Sequence, residues 1–122
     1  MGALRWEIYR ADSLVIVSGV GVFDFPFIVS YRNAMLAEGA AAYGKLLDLR
    51  RTDIVLSPHD LDRISYDPRF NRLTTGSIAI MIGRTPPPML IDMAMLLQHR
   101  MGNSRRICIF VYEEEARRWL AG

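Results

Sequence analysis

The sequence predicts a single α/β domain over residues 1–122, with a mixed, mostly parallel sheet of five strands, four helices and an opening β-hairpin. Short apolar runs alternate along the chain with segments of helical periodicity. The first two apolar runs follow one another with only Asp12 and Ser13 between them. A length of 122 residues and a hydrophobic content of 51% suit one buried core without disulfides.

The chain opens with two predicted strands, at residues 4–11 and 14–21. In the first, apolar and polar residues alternate, which is typical of a strand with one buried face. The second is apolar almost throughout, as expected of a central strand covered on both faces. The two-residue link Asp12-Ser13 predicts a tight hairpin, and the first strand then becomes an antiparallel edge.

A helix of about 14 residues is predicted to begin after Asp24, which is a suitable N-cap. Pro26 falls in the first turn, where its missing N–H does no harm. Gly39 follows the last helical residue as a C′ glycine. The inward stripe consists of Ile28, Tyr31 and Met35.

The third strand is KLLDL, residues 45–49, and a second helix follows it. Ser57 is the predicted N-cap of that helix, Pro58 its first residue, and Asp60 the partner of Ser57 in a capping box. Asp67 is expected to end the helix because Pro68 follows it. Residues 69–76 form a polar connection to the next strand.

The second half of the chain repeats the strand–helix alternation. Residues 77–83 and 106–111 are the fourth and fifth predicted strands, and a helix over about 88–101 lies between them. The closing helix, 113–120, has acids in its first turn and arginines in its last, which suits the helix dipole. The predicted order is therefore β-β-α-β-α-β-α-β-α.

Composition excludes several classes of protein. The net charge of +2 does not favour nucleic-acid binding. No apolar segment is long enough for stable membrane insertion, and the chain begins without an apolar signal region. The single cysteine excludes an internal disulfide and fits a reducing compartment. We therefore expect a cytoplasmic protein.

The predicted anion site is rich in arginine. Eleven of the fifteen basic residues lie between Arg50 and Arg118, and all eleven are arginine. In a parallel sheet, ligands bind beyond the carboxyl ends of the strands, where helix N-termini also point. Solvated arginines on a loop rim remain the alternative, since three prolines after Thr85 supply no N–H groups. The candidate anion- or partner-binding residues are Arg50, Arg51, Ser57, His59, Arg84 and Thr85.

The sequence predicts no enzyme. Ser57, His59 and Asp60 are neighbours on one helical turn and do not face one another as a catalytic triad does. The chain has no G-x-S-x-G elbow and no glycine-rich phosphate loop. Two histidines and one cysteine give no metal-ligand spacing, so neither a metal nor a cofactor is expected.

The third helix has more apolar residues than one buried stripe needs. Met89, Ile91 and Met95 lie beside the core stripe and form the candidate dimer surface. Exposed apolar helix faces usually need covering, which favours a homodimer. A helix buried over more than half its girth, or a soft methionine-lined ligand surface, remains the alternative.

Four stretches resemble the bacterial STAS-like domains, whose fold is also called SpoIIAA-like. These are a G-x-x-x-F pattern that leads to an arginine at 21–32, the K-L-L-D-L strand at 45–49, Ala79-Ile80, and a terminal helix ending in W-L at 116–120. The resemblance covers nearly the whole chain at the level of patterns. It implies a SpoIIAA-like fold and a module that acts by binding other proteins.

In the regulated members of that family, a kinase phosphorylates the second serine of a D-S-S-G turn. The equivalent positions here are Leu56, Ser57, Pro58 and His59, so Pro58 stands where the acceptor would be. The resemblance therefore implies an interaction or regulatory module of undefined role without that switch. The alternative is a small-molecule binding protein. It would hold an anion at the strand ends or, as in the similar Sec14-type folds, an apolar, lipid-like ligand under the third helix.

Overall fold

A computed structural model describes residues 3–68, 75–102 and 106–122. Over these ranges the strands are β1 (Arg5–Tyr9), β2 (Leu14–Ser18), β3 (Gly21–Asp24), β4 (Gly44–Asp48), β5 (Thr52–Val55), β6 (Ile78–Met81) and β7 (Ile107–Phe110). The α-helices are α1 (Phe25–Ala37), α2 (Pro58–Tyr66), α3 (Pro88–Met101) and α4 (Glu113–Ala121).

Five of the strands form one sheet in the order β1-β2-β4-β6-β7. β1 is antiparallel to β2, and every other pair in this sheet is parallel. Each parallel pair is joined through a segment that contains a helix, as parallel connections require. The predicted fold class is confirmed: within the described ranges there are a mixed, mostly parallel five-stranded sheet, four α-helices and an antiparallel edge strand.

The first two strands pair as predicted, but the tight two-residue turn predicted between them is wrong. Residues Arg10–Asp12 form a 3₁₀ turn, and Ser13 follows in the left-handed region with φ 49°. The connection therefore has four residues. The polar pair Asp12-Ser13 marked the turn correctly, but Tyr9 ends the pairing two residues earlier than the apolar pattern indicates.

A second, two-stranded parallel sheet was not predicted: β3 pairs with β5. The predicted strand 14–21 breaks at Gly19, which has φ 115° and lies so close to the Ala3 carbonyl that a Cβ would collide with it. Only glycine fits there, and the chain turns away from the main sheet. β5 was not predicted because Ile54 is its one buried residue, and a single buried position does not give an alternating apolar pattern.

The predicted caps of α1 are confirmed. The Asp24 carboxylate accepts a hydrogen bond from the N–H of Phe27 at 2.9 Å. At the other end Gly39 has φ 72°, and the N–H of Ala40 donates to the carbonyl of Met35 at 2.9 Å. This pairing is that of a Schellman motif, which needs a left-handed C′ residue.

The predicted capping box of α2 is also confirmed. The N–H of Asp60 donates to the Ser57 hydroxyl and the N–H of Ser57 donates to the Asp60 carboxylate, both at 3.0 Å. The helix ends at Tyr66, directly before Asp67-Pro68, as proline sterics require. Most of the predicted polar connection at 69–76 lies outside the described residues.

The helices divide between the two faces of the main sheet. α1, α2 and α3 cover one face, and α4 covers the other. Because side chains alternate along each strand, neighbouring residues such as Leu46 and Leu47 serve different cores. Leu46, Ala79, Met81 and Phe110 meet α4, whereas Val17, Leu47, Ile78, Ile80 and Ile107 face the three-helix side.

Candidate functional site

The carboxyl end of β4 carries a charged cluster around Arg50. Its guanidinium donates two hydrogen bonds to the Asp48 carboxylate, from Nε and from Nη2, each at 2.8 Å. The backbone N–H of Arg50 donates to the same carboxylate at 3.3 Å. The stem of Arg50 lies over Gly83 in the loop after β6, so the pair spans two strand ends. Such a bidentate arginine–carboxylate pair is one of the stronger kinds of ion pair in proteins.

Both pKa values of the Asp48–Arg50 pair are shifted in the direction that favours the charged forms. Burial raises the pKa of the Asp48 carboxyl, but hydrogen bonds from Arg50 and the charges of Arg50 and Arg51 lower it by more, leaving it below its ordinary value. Hydrogen bonding to Asp48 raises the pKa of the Arg50 guanidinium, and the charge of Glu113 adds to this. Two carboxylates already balance Arg50, which weakens its attraction for an incoming anion.

The other predicted anion-site residues are not drawn together by hydrogen bonds or ion pairs in the described part of the chain. Arg51, Arg84 and Thr85 are exposed, and His59 is exposed on the first turn of α2. Ser57 is occupied by its capping box. Within the described ranges, no group of three His, Cys, Asp or Glu side chains could hold a metal ion. The anion site therefore stays a prediction.

An apolar cavity, partly open to solvent, lies between the main sheet and the three helices α1, α2 and α3, and we call it the internal cavity. Its volume is about 100 Å³. The helices contribute Phe27, Ile28, Tyr31, Arg32, Ile64, Leu97 and Met101 to its wall. The strands and the segments next to them contribute Val17, Phe23, Lys45, Leu47, Leu56, Ile78, Ile80 and Ile107.

Lys45 is the charged residue most deeply placed in this wall, with 1% of its surface exposed. Its ammonium donates to the carbonyl of Thr75 at 2.6 Å and to the carbonyl of Ala41. A buried ammonium needs such acceptors because the interior solvates charge poorly. The signal in the sequence was a lysine at the start of the buried KLLDL strand. It marked an unusual core position but could not reveal a void.

The cavity is costly if it stays empty. An enclosed void costs roughly 24 cal/mol per Å³, so about 2 kcal/mol is the upper bound for a partly open cavity of about 100 Å³. Domains of this size are stable by roughly 5–15 kcal/mol, so even part of that cost matters.

A shallow groove lies on the outside, between α2 and α3. It is lined by Ile54, Leu56, Leu61, Met89, Asp92, Met93 and Leu96. Of the predicted dimer surface, Met89 is 59% and Met95 58% exposed, and Ile91 is half-buried. Leu56 lines both this groove and the internal cavity.

Several solved structures have the same fold over nearly the whole chain. A candidate anti-sigma factor antagonist from Thermotoga maritima is 13% identical with a TM-score of 0.58, and the match covers 98% of this chain and 95% of that one. The unphosphorylated form of the anti-sigma factor antagonist SpoIIAA is 13% identical with a TM-score of 0.55, over 98% and 99% of the two chains.

An uncharacterized protein of the DUF3478 family from Shewanella loihica PV-4, described as having a SpoIIAA-like fold, is 16% identical with a TM-score of 0.56, over 98% and 93%. At these identities the likeness establishes the fold, and the predicted SpoIIAA-like fold is confirmed. Neither a family model nor a curated protein sequence matches the chain. No helix in the described ranges combines the length and hydropathy that crossing a membrane requires.

Proposed function

We propose that residues 1–122 form one STAS-like domain that works in the bacterial cytoplasm as a non-enzymatic interaction or regulatory module. The observation that carries this proposal is the SpoIIAA-like fold itself. It extends over 98% of the chain, and two solved structures that share it are described as an anti-sigma factor antagonist and a candidate for that role. Its regulation does not use the family's phosphorylated serine, because Pro58 has no hydroxyl and Ser57 serves as a helix cap.

The partner surface that we propose is the groove side of α3, and the partner is a second copy of the chain. Met89 protrudes from this side and also lines the groove. In a twofold dimer the same patch meets itself, so a methionine of each copy can enter the groove of the other. Methionine suits this role because its unbranched side chain adapts to irregular gaps.

Analytical ultracentrifugation over a concentration series tests the dimer. Met89→Glu places a charge in the interface, and we expect dimerisation to weaken by at least tenfold. Leu36→Glu is the matched control, since Leu36 is an exposed leucine on α1, away from the groove. A wild-type protein that stays monomeric at 100 µM, or equal weakening by the control, contradicts this surface.

The second candidate function is small-molecule binding, and the internal cavity favours its apolar form. The anionic form rests on exposed Arg51 and Arg84 and on Arg50, whose charge Asp48 and Glu113 already balance. A phosphate titration followed by NMR tests the anionic form. Saturable shifts of backbone amides near these arginines that disappear in the Arg51→Ala, Arg84→Ala double variant would support it, and shifts that grow linearly would count against it.

A further inference from the structure

We propose that the internal cavity is a binding site for a compact, uncharged, apolar molecule of about the size of a single ring. This inference deepens the second of the two proposed functions and rests on it. The site is formed by the packing of three helices over one face of the sheet, and its wall consists almost entirely of aliphatic and aromatic side chains.

The chemistry of the wall selects against a charged ligand. Two cations contribute to it, Lys45 and Arg32. The ammonium of Lys45 is held by the carbonyls of Ala41 and Thr75, and Arg32 donates two hydrogen bonds to the Asn33 side chain, at 3.0 and 3.3 Å. An anion would therefore lose its hydration and compete with acceptors already in place. An apolar molecule has no comparable hydration to lose, and it gains van der Waals contacts with the wall.

The size of the cavity limits the ligand. A cavity of about 150 Å³ lined by aliphatic and aromatic residues binds benzene or xenon. Sites for drug-sized ligands occupy roughly 300–1,000 Å³. At about 100 Å³ this cavity falls below both, so it fits xenon directly and a small ring with slight movement of its wall. α1 offers that movement, because Ile28, Tyr31 and Arg32 are only half-buried.

The cavity follows from the architecture and not from small side chains. Its smallest lining residue is Val17. Phe23 of β3 and Leu56, directly after β5, also line it, so the small second sheet contributes to one side of the space. Large side chains around a void indicate elements held apart, and a bound molecule restores the missing contacts.

Thermal unfolding with benzene as the probe tests the site. A ligand that binds only the folded state stabilises it in proportion to the logarithm of its excess. At about a hundredfold excess over Kd, we expect the Tm of the wild-type protein to rise by on the order of 10 °C. Leu97→Phe places a larger side chain on the cavity wall, and the rise should fall to less than half.

Leu36→Phe is the matched control, because it makes the same change on α1 at a residue outside the wall. It should keep the full rise. If Leu97→Phe does not fold, Val17→Ile adds one methylene on the sheet side and should reduce the rise partly. No rise in the wild-type protein, or equal rises in Leu97→Phe and Leu36→Phe, overturns the proposal.

Sedimentation of the same samples separates this inference from the proposed module. A wild-type dimer without any benzene response overturns the cavity site and leaves the interaction module standing. A benzene response in a strictly monomeric protein supports the cavity site and contradicts the dimer.

Discussion

The two faces of the main sheet are packed in different ways. On the α4 side, Ala79 and Ala116 are fully buried and let the helix approach closely, while Trp119 packs on Phe110 with ring centroids 5.6 Å apart. On the other side, three helices rest on branched and aromatic residues and leave a cavity of about 100 Å³. The sheet therefore has a closely packed core on its α4 face and a core with a cavity on its three-helix face.

The comparison concerns how side-chain size affects the distance at which helices pack on each face of the sheet. On the α4 face, the small residues Ala79 and Ala116 allow a short helix to pack closely. On the other face three helices pack around a cavity, and the proposed ligand site lies there.

The largest predicted effect is a contrast between two enlarging substitutions, one on each face. Ala116→Leu inserts three carbons into the sealed α4 face and should lower the free energy of unfolding by about 2–3 kcal/mol, the usual cost of overpacking. Leu97→Phe, at the cavity, should change it by less than about 1 kcal/mol. Urea denaturation measures both, and equal losses would show that the two faces are packed alike.

A middle-sized effect is expected at the α2 cap, on the three-helix side. Ser57→Ala removes the oxygen that accepts from the N–H of Asp60 and should cost about 1 kcal/mol of stability. His59→Ala, two residues away and exposed, is the control and should stay within about 0.5 kcal/mol. If Ser57→Ala leaves Tm unchanged but removes dimerisation, the serine belongs to an interface and not to a cap.

The smallest effect concerns the Asp48–Arg50 pair. The pKa of Asp48 is lowered in the folded protein, so its ionised form stabilises the fold above the unfolded value of about 4. That contribution is lost as the pH falls through the folded pKa. Asp48→Asn should therefore cost up to about 1 kcal/mol at pH 7, since Arg50 is 43% exposed, and progressively less as the pH falls below about 4.

Arg50→Gln completes this test. It should cause a similar loss at pH 7, and the double variant should lose little more than either single variant, because the two residues share one interaction. Full additivity in urea denaturation would mean that the two side chains do not stabilise each other.

Elements with local signals were predictable from the sequence. Asp24, Ser57 and Asp60 cap their helices through hydrogen bonds three residues apart, and such spacing is visible in the chain. The β3–β5 sheet was missed because its pairing joins residues about thirty apart and buries one side chain per strand. Arginines drew attention to the strand ends, but only the structure reveals the bidentate bond from Arg50 to Asp48.

The size and outline of the cavity could not be predicted from the residues, although the resemblance implied an apolar ligand under the third helix as one alternative. Its lining residues are ordinary core residues, and a void depends on how far apart whole elements pack. Lys45 gave a faint signal as a charge at the start of an apolar strand, yet its partners, the carbonyls of Ala41 and Thr75, belong to the loops beside the sheet.

Methyl NMR of leucine-labelled protein during a benzene titration tests the contrast between the faces most directly. Leu47, Leu56 and Leu97 line the cavity, whereas Leu14, Leu46 and Leu120 belong to the α4 core. We predict saturable shifts for the methyl groups of the first three leucines and unchanged positions for those of the other three. Equal shifts on both faces, or shifts confined to the α4 core, would contradict a binding site on the three-helix side.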